Sequence, residues 1–259
     1  MPKSLTEPIL ERLTCEAFVS FLGQAPKFEA LMQPGCSYVI SNEPVADLNC
    51  LVAGRGAKAE GRFQRSVESL LERKLPFLGI LFPSAVAEVA EQAAGLGLAH
   101  VVDFPFMVRE DEPIEPTGAE DVVVKRGSGA QAGIESAAVL SSAFQMPEES
   151  AQRVQPATFF DSPAVDVFLA VREGRCVGSV TITHHGDTFG IWAMGTDAGT
   201  QRRGIGRRLL STALSEIRMQ GARRFFLGAT PAGYQLYESL GFVTRVTAQI
   251  WVSGETHQA

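Results

Sequence analysis

The chain has 259 residues, 45% of them hydrophobic and 20% charged, with a formal net charge of −6. That length holds one large domain or two of ordinary size, and the composition is that of a globular protein. An acidic balance excludes a surface built broadly for nucleic acid, and no segment approaches the ~20 apolar residues of a membrane span. The start lacks the long apolar run of a signal peptide, so a cytoplasmic chain is expected. Cys15, Cys36, Cys50 and Cys176 have no metal-ligand spacing. They read as reduced thiols filling core, with no metal site.

Taken in order, residues 5–22 carry Leu5, Ile9, Leu10, Leu13, Ala17, Phe18, Phe21 and Leu22 at helical spacing, and Gly23 ends the run. Short strands are expected at Tyr38–Ser41 and Leu48–Ala53, then a loop at Gly54-Arg55-Gly56. A helix over Phe63, Val67, Leu70 and Leu71 stops at Pro76. Phe77–Phe82 is a buried strand, Val86, Val89, Ala90 and Ala93 mark another helix, and Val101–Val108 returns as a strand. This alternation is an α/β order. Residues 109–120 are acidic, rich in proline and without periodicity, which reads as a linker. The expected domains are therefore 1–116 and 117–259.

The second domain opens with a strand at Val122–Lys125. Helices follow around Ile134–Phe144 and after Pro147. Asp166–Val171 and Val177–Thr183 form a hairpin over Glu173-Gly174-Arg175, and His184-His185-Gly186-Asp187 turns into a buried strand at Phe189–Met194. Next comes Gln201-Arg202-Arg203-Gly204-Ile205-Gly206-Arg207-Arg208, backed by an apolar stripe at Ile205, Leu209, Leu210, Ala213, Leu214 and Ile217. Strand, glycine loop and helix start together make an anion cradle. The N–H groups at a helix N-terminus are unsatisfied, the dipole favours negative charge, and glycine lets a ligand approach the backbone. The closing Gly-Lys-Ser/Thr of a P-loop is absent, and the loop comes too late in the chain for a dinucleotide fingerprint.

The stretch resembles the Gln/Arg-x-x-Gly-x-Gly/Ala signature of the GNAT acetyltransferase superfamily. Two further stretches resemble it in the right order. Gly178–Val180 opens a strand like the family's Val-Gly strand, and Leu236-Tyr237-Glu238-Ser239-Leu240-Gly241-Phe242 is similar to its late Leu-Tyr-x-x-x-Gly-Phe element. The resemblance implies an α/β (α+β) chain of two GNAT-like domains, each a mixed, mostly antiparallel twisted sheet flanked by helices. The first would be a degenerate copy, since Gly54-Arg55-Gly56 lacks the Gln/Arg lead and the apolar helix directly behind it; the alternative is an unrelated α/β accessory domain.

What the resemblance implies for function is an N-acetyltransferase with acetyl-coenzyme A as co-substrate. The acceptor would be a primary amine on a small molecule or a protein. Neither nucleic acid nor membrane is an expected partner, and the state is monomer or homodimer. Met194, Gly195 and Thr196 would present backbone to the pantetheine and thioester. Gln201, Arg202, Arg203, Gly204, Ile205, Gly206 and Arg207 would hold the pyrophosphate. Thr230 stands where asparagine is common and would contact the cofactor. Tyr237 would protonate the departing thiolate, with Tyr234 one turn earlier as runner-up. The general base stays open among His184, His185, Glu173, Asp161, Asp187 and a water chain. Two rival readings are a non-catalytic acyl-coenzyme A sensor and a transferase of a longer acyl group.

Overall fold

The computed structural model describes residues 5–110 and 112–253. Contacts divide them into two units, one of the residues up to 106 together with those from 244, the other of residues 107–243. Among the described residues no helix is long and apolar enough to cross a membrane. All four cysteines are free, and burial pushes their thiols up, to about 12 at Cys15 and about 11 at Cys36 and Cys176.

The first unit opens with α1 (Glu7–Leu22), which buries Leu10, Leu13, Ala17, Phe18, Phe21 and Leu22 and ends at Gly23. Its sheet has the order β1 (Glu29–Leu31), β2 (Cys36–Ile40), β3 (Asn49–Ala53), β4 (Leu78–Leu81), β11 (Val243–Ser253). Strands β3 and β4 are parallel. A parallel pair needs a crossover, and α2 (Arg62–Glu72) lies within it, burying Phe63, Val67 and Leu70. Helix α3 (Pro83–Gly95) begins on a proline, whose missing N–H costs nothing at a first helical position. The chain leaves this unit within β5 (Leu98–Glu110).

The units do not follow a single cut at 116/117. The last strand, which lies beyond residue 117, pairs antiparallel with β4 from Gln249↔Leu81 to Val252↔Leu78. Its Trp251 joins the first unit's core with Phe63, Phe77, Leu81 and Val89. A strand's alternating pattern shows that one face is buried without showing which neighbour it pairs with.

The second unit contains β6 (Val123–Arg126), α4 (Gly129–Phe144), α5 (Glu148–Val154), β7 (Val165–Arg172), β8 (Arg175–His185), β9 (Thr188–Thr196), α6 (Ile205–Met219), β10 (Arg224–Gly228) and α7 (Pro231–Ser239). The strand order is β10-β9-β8-β7-β6, antiparallel except for β9 and β10. Glu173 and Gly174, at φ 51° and 76°, make the two-residue turn between β7 and β8; positive φ at both positions suits the strand twist. The α6 stripe predicted from sequence is buried throughout, against Phe168, Val180, Ile182, Phe189, Ile191 and Phe225. On the opposite face the contacts are polar. Ser136 of α4 bonds Ser179 and Gln155 at 2.8 Å, and Gln155 donates to Thr181. Every member of that network is buried and partnered, so it is not a liability.

Residues 112–120 are not a free linker. Thr117 N–H donates to Ser211 Oγ at 2.9 Å, and Ser211 donates back to Thr117 O. Proline and acid content set the lack of periodicity, but the segment's backbone finds its partners on α6.

Trp251→Ala tests the assignment of the last strand to the first unit's core. Truncating a buried tryptophan costs ~3–5 kcal/mol, to be read from the midpoint of urea unfolding. A loss under ~1 kcal/mol would contradict the packing described.

Candidate active site

Strands β9 and β10 pair in parallel over Thr188–Gly190 and Arg224–Phe226. Beyond that register β9 runs on to Thr196, while β10 ends at Gly228. The far half of β9 is irregular as well. Against β8 the pairing steps from Thr181↔Trp192 to Ser179↔Gly195, so Ala193 and Met194 together oppose Val180. This is a β-bulge, and Ala193 takes φ 46° to make it. A bulge re-aims the backbone groups beside it. A non-glycine residue in the left-handed region costs ~1–2 kcal/mol and is retained where the surroundings hold it.

Helix α6 starts just after this strand. Its N-cap is Gly204 at φ 78°, and no side chain caps the first turn. The N–H groups of Ile205, Gly206 and Arg207 therefore lack the usual helix partners. A Cβ placed on Gly206 would lie 3.4 Å from Met194 Cε, 3.4 Å from Leu236 Cδ2 and 3.7 Å from Thr196 Cγ2. Gly206 thus faces the place where β9, α6 and α7 converge. Gly204 faces elsewhere, since its Cβ would meet Ala119 N at 3.2 Å. The two glycines have different tasks: Gly204 makes the turn, and Gly206 keeps the space open.

The other residues singled out in the sequence fall around this point with varied surroundings. The Ile205 side chain is core, so only its N–H faces out. Arg202, at φ 61°, and Arg203 are exposed. Arg207 donates to Ser239 Oγ at 2.7 Å, tying α6 to α7. Gln201 Nε2 lies 3.5 Å from Thr196 O. Thr230 Oγ1 accepts from Gly233 N–H at 3.3 Å and so caps α7. Gly195 is buried, and a Cβ there would meet Ala143 Cβ at 2.7 Å and Phe144 Cε2 at 3.2 Å. Ala193 and Phe144 were missed in the sequence. Nothing in an Ala-Met pair signals a bulge, and Phe144 looked only like the last apolar position of a helix.

Tyr237 is 8% exposed, packs edge-on against Phe242, and has its ring against Gly233. Burial pushes its phenol up to about 12. Among the described residues its hydroxyl makes no hydrogen bond.

The candidate bases do not gather here. His184 bonds Asp166 at 2.8 Å, and Asp166 also pairs with Arg126. His185 bonds Thr183 at 2.9 Å. Asp187 is held below the usual carboxylate range by the Arg224 guanidinium at 2.6 Å. His185 is paired with Thr188, at the other end of β9 from Met194, about 20 Å along the strand at ~3.3 Å per residue. Glu173 lies in the β7–β8 turn.

In the first unit the glycine loop is taken up internally. Gly56 N–H donates to both oxygens of Glu88, at 2.9 and 3.1 Å, and Lys58 N–H donates to the same carboxylate. Beside it Glu11 abuts Gly54, and burial together with Glu7 pushes its carboxyl up to about 7.

Residues 163–244 match the sequence profile of the acetyltransferase (GNAT) domain. The chain carries a GNAT acetyltransferase domain. Among solved structures it is similar to a GCN5-related N-acetyltransferase from Kribbella flavida, with a TM-score of 0.71 and 18% identity, covering 96% of this chain and 97% of that one. A GCN5-related N-acetyltransferase from Sphaerobacter thermophilus gives 0.64 and 16% over 85% and 76%. A tandem GNAT protein from the clavulanic acid biosynthesis pathway gives 0.58 and 10% over 88% and 84%. At these identities the likeness is one of fold. No curated protein matches the chain. The matched domain is that of an acyltransferase, and the GNAT fold is one that takes acyl-coenzyme A. The uncapped first turn of α6 offers amides suited to the pyrophosphate of such a group.

The separate tasks of the two glycines are testable by stability. Gly204→Ala is expected to cost ~1–2 kcal/mol, because it holds a side chain at positive φ. Gly206→Ala, inside the helix, is expected to be neutral or to gain up to ~1 kcal/mol from helix propensity. Equal losses in chemical unfolding would contradict the assignment.

Proposed function

We propose that the protein is an N-acetyltransferase that moves an acetyl group from acetyl-coenzyme A to a primary amine. The observation that carries this reading is the convergence on Gly206 of Met194, Thr196 and Leu236, beside the uncapped α6 turn and with Tyr237 next to Leu236 on α7. When bound, the co-substrate supplies an activated acetyl thioester. The amides of 205–207 would bind its pyrophosphate, with Arg202 and Arg203 adding positive charge. The edge of Met194–Thr196 would pair with the pantetheine amides as an added strand does. The bulge at Ala193 and Met194 would aim an N–H at the thioester carbonyl, where a preorganised donor is most effective.

Tyr237 would hold its proton toward the departing sulfur. With its phenol near 12 it stays protonated at all physiological pH. It is a weaker acid than a free thiol at ~8.5. Its contribution is therefore a hydrogen bond that strengthens as charge grows on sulfur, with full transfer following solvent. The acceptor amine must lose a proton before attack, since an alkyl amine near ~10.4 is mostly charged at neutral pH. That the histidines and Asp187 lie at the far end of β9 favours water as the carrier. The same observation supports a second reading, an acyl-coenzyme A sensor without turnover. For the first unit we infer a copy without a cofactor site, because Glu88 already fills its loop amides.

Tyr237→Phe separates the readings. Thiol release from acetyl-coenzyme A is followed with a panel of amines, beside cofactor binding by calorimetry. The enzyme reading expects kcat to fall ~10²–10³-fold with affinity unchanged and packing on Phe242 kept. It also expects no alkaline loss of rate from this residue between pH 7 and 10. Equal turnover in both proteins would remove Tyr237 from the chemistry, and binding without turnover in either would establish the sensor.

A further inference from the structure

Arg109 and residues 116–119 place several polar groups on the two helices that frame the candidate site. Arg109 is 4% exposed. Its Nε donates to Leu240 O at 2.9 Å, at the end of α7. Its Nη1 donates to Glu112 O at 2.8 Å and Glu110 O at 3.3 Å, and its Nη2 to Pro113 O at 3.1 Å. One buried guanidinium thereby joins the turn after β5 to the C-terminal end of the helix that carries Tyr237. A cation there also suits the negative end of the helix dipole.

The other end of the segment holds α6. Gly118 adopts φ 112°, and a Cβ on it would lie 2.6 Å from Gly204 O and 2.7 Å from Arg208 N. Both atoms belong to the first turn of α6, where Arg208 N–H donates to Gly204 O at 3.0 Å. Ala119 N–H approaches the same carbonyl at 3.4 Å. Thr117 and Ser211 exchange hydrogen bonds, and Arg208 Nη1 reaches Pro116 O at 3.5 Å. At 118 the approach leaves no room for a side chain without a shift of the α6 backbone, and at 204 a Cβ would press on Ala119 N at 3.2 Å.

We propose that Arg109 and residues 112–120 form a brace that fixes the α6 turn and α7 for acyl transfer, resting on the acyl-coenzyme A site read above. Gly118 is a positioning residue for the anion cradle, and Arg109 is a positioning residue for Tyr237. Neither touches the reacting groups. The brace divides its effects: disturbing Gly118 acts on cofactor affinity, and disturbing Arg109 acts on turnover. A segment that served stability alone would lower both together, through the folded fraction.

The test uses the full chain and four proteins: wild type, Gly118→Ala, Arg109→Lys and the milder Ser211→Ala. Arg109→Lys keeps the charge and loses the fork that reaches several carbonyls. Amide hydrogen exchange without ligand is measured first. Gly118→Ala and Ser211→Ala are expected to raise exchange over residues 208–211 only, and Arg109→Lys over 237–242 only. Acetyl-coenzyme A titration and initial rates follow. Gly118→Ala is expected to weaken Kd ~10-fold or more and Ser211→Ala about threefold, both at unchanged kcat. Arg109→Lys is expected to lower kcat ~10-fold or more at unchanged Kd. Exchange that rises at neither place, or at both places alike in every variant, overturns the brace. If Gly118→Ala does not fold, unchanged exchange in Ser211→Ala overturns it as well. Exchange that responds as stated in a protein that takes no acetyl-coenzyme A upholds the brace and removes the acyl-coenzyme A reading instead.

Discussion

After Gly190 the edge of β9 that faced β10 has to find other partners. A buried backbone group without a hydrogen bond costs ~1–3 kcal/mol, so such an edge is either wetted or filled by something that brings its own donors and acceptors. The bulge at Ala193 keeps the strand from closing back into register. The start of α6 then adds unsatisfied N–H groups beside the strand's far end, and Gly206 withholds a side chain from the space between them. An extended ligand with amides along its length and an anion at one end would satisfy both sets of groups at once. On the proposed reading that complementarity links the strand edge, the glycine and the helix into one site.

Around that opening, rigidity comes from apolar and polar packing on opposite faces of the same sheet. Ile205, Leu209, Leu210, Ala213, Leu214 and Ile217 anchor α6, each contributing some ~1.5–3 kcal/mol where a large side chain is fully buried. On the other face Ser136, Gln155, Ser179 and Thr181 fix α4 and α5 by hydrogen bonds that require one geometry. Gly195 lets Ala143 and Phe144 come down onto β9 beside the bulge. The strained residue Ala193 is thus held between a packed helix on one side and a packed helix end on the other.

The sequence revealed the helix with its apolar stripe, the glycine loop and the tyrosine, because each is a local pattern with a fixed period or spacing. Ile205 illustrates the limit within a correct pattern: its side chain belongs to the core, and only its amide faces the site. Gly204 and Gly206 looked equivalent, yet a positive φ and the approach of Ala119 distinguish them, and neither is visible in a one-letter string. The bulge at Ala193 depends on the register with β8, which is a tertiary property. Residues 109–120 looked like a linker because proline and acid content erase periodicity; the partners of residues 116–119 lie at α6, and the Arg109 side chain reaches Leu240 just after α7, both far along the chain. The pairing of β11 with β4 joins segments far apart in the chain, which no local pattern shows.

The central claim is that Gly206 looks into the space where an acyl-coenzyme A lies. Calorimetric titration of acetyl-coenzyme A into the wild type and into Gly206→Val measures it directly. The substitution would place two methyl groups toward Met194 and Leu236 while leaving the N-cap at Gly204 and the core stripe intact. The account predicts saturable binding by the wild type and a loss of ~10²-fold or more in a folded variant, the scale of a misplacement of about 1 Å. Wild-type affinity in a folded Gly206→Val protein would contradict it.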